Sequence, residues 1–185
     1  MRIVAGRWRG RNLMAPAGDA TRPTADRVRQ ALFDMLMHAP WAGPETIRDA
    51  TVLDIFAGSG AMGLEALSRG ARHATFIENA SAALACLRAN IRACQATEIS
   101  TVIPTDALKP RPIGSASVGL VFLDPPYRQG LIPLALAALR SAGLIAPDAL
   151  IVAETARDEP SPHPDNLAER THGAAKVTIW RETGG

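Results

Sequence analysis

The chain has 185 residues, a formal net charge of +2 and 47% apolar residues, enough to bury the core of one α/β domain with a small appendage. Its two cysteines, Cys86 and Cys94, have neither zinc-site nor disulfide spacing, Met1-Arg2-Ile3-Val4 does not open a signal peptide, and no apolar run approaches the length of a membrane span. A disulfide-stapled, zinc-built or membrane-embedded protein is therefore excluded, and a soluble, cytoplasmic chain is expected. The charge is uneven: residues 1–30 hold seven arginines against two acids, a net of +5, and the remaining residues carry a net of −3. A basic arm on a near-neutral body implies a polyanionic partner.

The arm comes first along the chain. Arg2–Ala5 and Trp8–Met14 read as two short strands joined at Gly6-Arg7, with Gly10 as a bulge. On a strand, Arg7, Arg9 and Arg11 share one face, with Trp8 between them. Guanidinium groups pair with phosphates and stack on bases, so Arg7, Trp8, Arg9 and Arg11 are candidate RNA contacts, continued by Arg22 and Arg27. The competing explanation is a solvated edge strand with Trp8 packed on the body. Pro16–Pro23 reads as a loop. Thr24 is placed to cap a helix in which Val28, Ala31, Leu32, Met35 and Leu36 form one apolar face. The expected division is residues 1–23 as hairpin and loop, and residues 24–185 as the main domain.

From residue 51 strands and helices alternate. Strands are expected at 51–56, 73–78, 99–103, 118–123, 149–154 and 176–181, and helices at 61–69, 80–94 and 130–141. The alternation implies an α/β fold with a doubly wound, mostly parallel sheet, whose sites lie at the strand C-termini. Val52-Leu53-Asp54-Ile55-Phe56-Ala57-Gly58-Ser59-Gly60-Ala61-Met62-Gly63 reads as strand, glycine turn and helix start. Its glycines fit G-x-G-x-x-G, and Glu78 follows Gly58 by 20 residues at the end of the next strand. That spacing is a nucleotide-binding fingerprint, with the acid on ribose hydroxyls. Asp54 sits where a dinucleotide's pyrophosphate would be repelled, whereas the ammonium and sulfonium of S-adenosylmethionine would be attracted. Asp54, Phe56, Gly58, Gly60 and Glu78 are accordingly assigned to that cofactor. Asp106, after the third strand, is a candidate partner for the adenine amino group, and equally a turn cap.

The run Val118–Leu123 ends in Asp124-Pro125-Pro126-Tyr127. The two prolines stiffen the turn. The Asp124 carboxylate and the Pro125 carbonyl are suited to accept the two N–H bonds of an exocyclic amine, and Tyr127 offers a face for the base. Asp124, Pro125 and Tyr127 are the candidate catalytic residues for amino methylation of a nucleobase. The four histidines are dispersed, and no metal site is expected.

Five stretches give the chain its resemblance to a known family: Arg2–Arg11, Thr21–Arg29, Leu53–Gly60, Gly63–Gly70 and Asp124–Tyr127. It resembles the bacterial methyltransferases of guanine N2 in small-subunit (16S) ribosomal RNA. The resemblance implies a class I, seven-stranded Rossmann-like sheet with a small N-terminal β-hairpin and helix extension. It also implies S-adenosylmethionine as methyl donor and a nearly assembled small ribosomal subunit as partner; a monomer is expected. In the C-terminal part, His172 stands before Gly173 where the family pattern has a tyrosine. The alternatives are a DNA adenine-N6 methyltransferase, an NAD oxidoreductase, and a catalytically silent ribosome-assembly factor.

Overall fold

The computed structural model describes residues 1–16, 23–110 and 117–183. Arg22 and most of the expected 16–23 loop lie outside them. Seven strands form one sheet: β1 (Thr51–Ile55), β2 (His73–Glu78), β3 (Ser100–Pro104), β4 (Val118–Leu123), β5 (Ile145–Ala156), β6 (Ala168–His172) and β7 (Ala175–Arg181). Their order is β3-β2-β1-β4-β5-β7-β6. The first five pair in parallel, and β7 runs antiparallel to both β5 and β6. Parallel pairing follows wherever a helix supplies the crossover. No helix lies between β5 and β7, so the chain returns antiparallel.

Among the described residues four helices cover the sheet: α1 (Pro23–His38), α2 (Ala61–Ser68), α3 (Ser81–Ala93) and α4 (Leu131–Ser141). Leu32, Phe33 and Leu36 of α1, Leu64 and Leu67 of α2, and Leu87 and Ile91 of α3 pack with Val52, Phe76, Phe122 and Val152 on one face. Ile132, Ala135, Leu136 and Leu139 of α4 pack with Leu53, Ile55, Val121, Leu123 and Ile151 on the other. The period of two in the strands and the i, i+3, i+4, i+7 spacing in the helices decide these two cores.

Three differences from the sequence expectation have local causes. Helix α1 starts at Pro23, a residue suited to a first helical position, so Thr24 lies inside the first turn and not at the cap. Strand β5 begins at Ile145, earlier than expected, because a register shift between Val118 and Leu120 of its β4 partner absorbs the turn-like Pro147-Asp148. Strand β6 completes the seven strands that the resemblance implies, and the apolar pattern does not locate it: Glu169, Arg170 and Thr171 are polar residues on an edge, where apolar alternation is not needed. Trp180 of β7 is fully buried and stacks with His163 at 5.5 Å.

The N-terminal arm is bonded to α2 and forms a shortened antiparallel pair, not two full strands. Its halves pair only briefly, at the Arg2–Asn12 bridge, where Ile3 N–H donates to Arg11 O at 2.9 Å, Gly10 N–H to Ile3 O at 2.9 Å and Leu13 N–H to Met1 O at 3.0 Å, and Gly6–Trp8 is a 3-10 turn. The backbone N–H groups of Val4 and Ala5 donate to the fully buried Glu65 carboxylate at 2.8 and 3.0 Å. Trp8 N–H donates to Ser68 Oγ at 3.0 Å, and that hydroxyl donates to Ala5 O at 2.6 Å. Donors spent on α2 are lost to a strand ladder. Gly6, at φ +76°, lies so close that a Cβ there would stand 1.9 Å from Ser68 O. Asn90 of α3 takes the N–H and carbonyl of Met14 at 2.8 Å each and donates to Ser59 O at 2.9 Å, tying the arm to the glycine turn.

Candidate active site

The chain order reverses between β1 and β4, which leaves a crevice beyond their C-terminal ends. On the β1 side, residues 56–60 turn sharply into α2. Phe56, Gly58 and Gly60 have φ of +59°, +55° and +78°. The two glycines adopt this region freely, and Phe56 holds it at a cost. A Cβ at Gly60 would meet Leu87 at 2.3 Å, whereas at Gly58 it would find only Phe56 O at 3.9 Å. Gly60 is thus small because of the core, and Gly58 leaves an approach open beside the turn.

Asp54 is buried, and its Oδ2 accepts the Gly63 N–H at 2.9 Å. Burial pushes its carboxyl up to about 7, the Gly63 bond opposes the rise, and the Glu78 charge adds to it. Glu78 accepts the Gly58 N–H on one oxygen and the Asn79 and Ala80 N–H groups on the other, all at 2.8 Å. It therefore fastens the glycine turn to the start of α3. Asp106 accepts the Leu108 N–H at 2.9 Å, the geometry of a turn cap.

On the β4 side, Asp124 stands exposed at the strand end and Pro125 is buried behind it. Asp124 N–H reaches Ile55 O at 3.5 Å, so the two turns adjoin. The Tyr127 ring is half-buried, and its hydroxyl donates to Glu154 of β5. Burial, the Glu154 bond and the nearby charges of Glu154, Asp124 and Glu159 hold the phenol protonated. Glu154 escapes the sequence analysis, although an acid closing the apolar run Leu150–Ala153 carries the same signal as Asp54 and Glu78.

The arginines of the arm diverge. Arg7 lies 4.0 Å over the Trp8 ring and covers that face of it. Arg11 donates to Ala93 O at the end of α3. Arg9 lines an open groove of about 750 Å³ between the arm and α1, with Arg2, Asp26, Arg27 and Gln30. Arg7, Arg9 and Arg11 thus share no strand face, because the 3-10 turn rotates Arg7 away and the bond to Ala93 turns Arg11 towards α3. The structure instead brings Arg9 and Arg27 together. Arg29 is buried against Asp26 and Glu65, so part of the arm's charge is structural. Among the described residues no cluster of His, Cys, Asp and Glu is arranged to hold a metal, and no helix is long and apolar enough to cross a membrane.

The family model described as Conserved hypothetical protein 95 matches residues 1–181. The chain is 36% identical to Ribosomal RNA small subunit methyltransferase D of Haemophilus influenzae, over 98% of this chain and 93% of that protein. It is 41% identical to the Escherichia coli K12 protein of the same name, over 84% and 74%. The chain belongs to the ribosomal RNA small subunit methyltransferase D family. Members of this family are S-adenosylmethionine-dependent, and the solved fold agrees: a structure from Escherichia coli superposes with a TM-score of 0.82 at 36% identity, over 99% of this chain and 98% of that one. The same Rossmann-like fold recurs at 13% identity and a TM-score of 0.63 in a Salinibacter ruber RNA methyltransferase solved with S-adenosyl-L-homocysteine, over 86% of this chain and 92% of that one. In this family member the glycine turn and the Asp-Pro-Pro-Tyr turn face each other across the switch point.

Proposed function

We propose that the chain methylates the exocyclic N2 amino group of a guanine in small-subunit ribosomal RNA, with S-adenosylmethionine as donor. The observation that carries this reading is the adjacency of the Asp124–Tyr127 turn to the glycine turn of β1. The donor set suits a cationic nucleoside better than a dinucleotide. Asp54 and Glu78 flank the turn close enough for one charge to raise the other's carboxyl, so a pyrophosphate meets repulsion and an ammonium or sulfonium meets attraction. Asp54, Phe56, Gly58, Gly60 and Glu78 would hold the cofactor. Asp106 would reach the adenine only by giving up its turn bond.

When bound, S-adenosylmethionine supplies a methyl group already activated by the sulfonium, so the residues of this chain have chiefly to position and exclude. Asp124 accepts one amino N–H and the Pro125 carbonyl the other, which directs the nitrogen lone pair away from the turn. The Asp124 carboxylate stabilises positive charge as it grows on that nitrogen, and receives the proton afterwards. Tyr127 supports the face of the base. Arg9 and Arg27 contact RNA phosphates along the arm groove. The chain acts as a single basic arm, residues 1–23, on a methyltransferase domain, residues 24–185.

The test is Asp124→Ala, assayed with labelled methyl donor on small subunits from a strain lacking the modification. Methyl transfer should fall by at least a hundredfold while S-adenosylhomocysteine affinity stays within about twofold. Near-normal turnover at saturating subunits would overturn the assignment of the turn.

A further inference from the structure

Strands β4 and β5 lie side by side, with Leu123 in register with Ala153. The next residue on each is an acid: Asp124 leaves the sheet for the turn, and Glu154 continues β5. Nothing in β5 itself asks for a carboxylate. Leu150, Ile151, Val152 and Ala153 before Glu154, and Thr155 and Ala156 after it, are buried. Its register partner on β7 is the apolar Val177. The bond that Glu154 makes is to the Tyr127 hydroxyl, at the far end of the Asp124–Tyr127 turn.

That bond supplies what the turn lacks. Two prolines stiffen the backbone leading to Tyr127, and beyond it Arg128 N–H donates to Glu159 at 3.0 Å while the Arg128 guanidinium pairs with Asp158 at 2.9 Å. None of these contacts restrains rotation of the tyrosine side chain. The ring is half-buried. A carboxylate at the tip of the ring acts at the longest lever about χ1 and fixes the direction in which the ring axis points. The hydroxyl remains a donor because burial and the surrounding carboxylates disfavour the phenolate.

We propose that Glu154 is a positioning residue for methyl transfer: by holding the Tyr127 hydroxyl it fixes the place and direction of the ring on which the target base rests beside Asp124. The proposal rests on the assignment of Tyr127 as the platform for the base. Displacement at a methyl carbon needs the amine in line, so a loosely held platform lowers the rate more than it lowers affinity.

A double-mutant cycle separates the outcomes. Single-turnover methyl transfer on unmodified small subunits is measured for wild type, Glu154→Ala, Glu154→Gln, Tyr127→Phe, Tyr127→Phe/Glu154→Ala and Tyr127→Ala, with subunit half-saturation, S-adenosylhomocysteine calorimetry and thermal melting alongside. Glu154→Ala should lower the maximal rate by roughly ten- to a hundredfold. Half-saturation and cofactor affinity should stay within about threefold, a split that simple loss of structure does not produce. Glu154→Gln, whose amide carbonyl still accepts the hydroxyl, should recover most of the rate. In the Tyr127→Phe background, Glu154→Ala should cost less than about twofold more, because the bond is already gone. A full additional loss in that background would overturn the proposal, as would a near-normal rate for Glu154→Ala while Tyr127→Ala is impaired. A near-normal rate for Tyr127→Ala would instead overturn the platform assignment. If Glu154→Ala does not fold, Glu154→Gln and Tyr127→Phe carry the comparison, and equal loss of cofactor affinity and rate in Tyr127→Phe would assign the bond to stability alone.

Discussion

Glu65→Ala is the sharpest test of how the arm is held. The Glu65 carboxylate is fully buried and accepts Val4 N–H at 2.8 Å, Ala5 N–H at 3.0 Å and Arg69 Nε–H at 2.8 Å, with Arg29 Nε at 3.5 Å. Removing it strands two nearly buried guanidinium groups. Arg29 keeps Asp26 at 2.9 Å, and Arg69 keeps Asp34 only at 3.7 Å. Breaking one buried pair costs about 3–5 kcal/mol. Leaving each backbone donor unmet adds roughly 1–3 kcal/mol. These costs do not simply add, because the arm can lift and rehydrate its donors at the expense of the packing of Ile3 and Leu13. A net loss of about 3–5 kcal/mol is expected, within the roughly 5–15 kcal/mol typical of a domain, and at about 2–4 °C per kcal/mol this lowers the melting temperature by roughly 6–20 °C. Hydrogen exchange locates the effect. The Val4 and Ala5 amides lose their acceptor, and the Trp8 amide, bonded to Ser68 and untouched by the substitution, should lose protection with them if the arm moves as a unit. A fall below about 2 °C with the Trp8 amide still protected would refute the argument that Glu65 anchors the arm.

Three further outcomes follow from the same geometry. The Asp54 carboxyl sits at about 7 in the folded chain against an ordinary 3.8. A raised carboxyl contributes stability that is present below about 4 and lost as pH rises through about 7, an interval worth roughly 4 kcal/mol. Asp54→Asn should therefore flatten the decline in unfolding free energy between pH 5 and 8 in chemical denaturation of the cofactor-free protein, and an unchanged slope would refute this origin. Glu78→Ala removes the acceptor of three backbone N–H groups as well as the proposed ribose partner, so S-adenosylhomocysteine affinity should fall by at least roughly 1–3 kcal/mol in calorimetry; unchanged affinity would remove Glu78 from the cofactor site. Replacing Arg9 and Arg27 by alanine should reduce the log–log salt slope of subunit binding by roughly 0.7–0.9 for each phosphate no longer neutralised. An identical slope would show that the arm groove does not meet RNA.

The elements that position the site were legible because their information is local. A glycine turn between strand and helix, two prolines after a buried strand, and apolar residues at periods of 2 and 3.6 announce themselves within a dozen residues. Asp54, Gly58, Glu78 and Asp124 can therefore be placed on one rim by reading the chain alone. What only the tertiary structure decided involves polar groups whose partners are distant in sequence. Glu65 and Ser68 meet the arm across some 60 residues, Asn90 meets Met14 across 76, and Glu154 meets Tyr127 across 27. The arm reads as two strands because its residues favour extended backbone, and it forms one bridge because α2 takes the donors a ladder would need. Its arginines diverge because the 3-10 turn rotates Arg7 and Arg11 bonds to Ala93 of α3. A backbone donor has one hydrogen to give, and which acceptor receives it depends on what folding brings beside it, which residue type alone does not record.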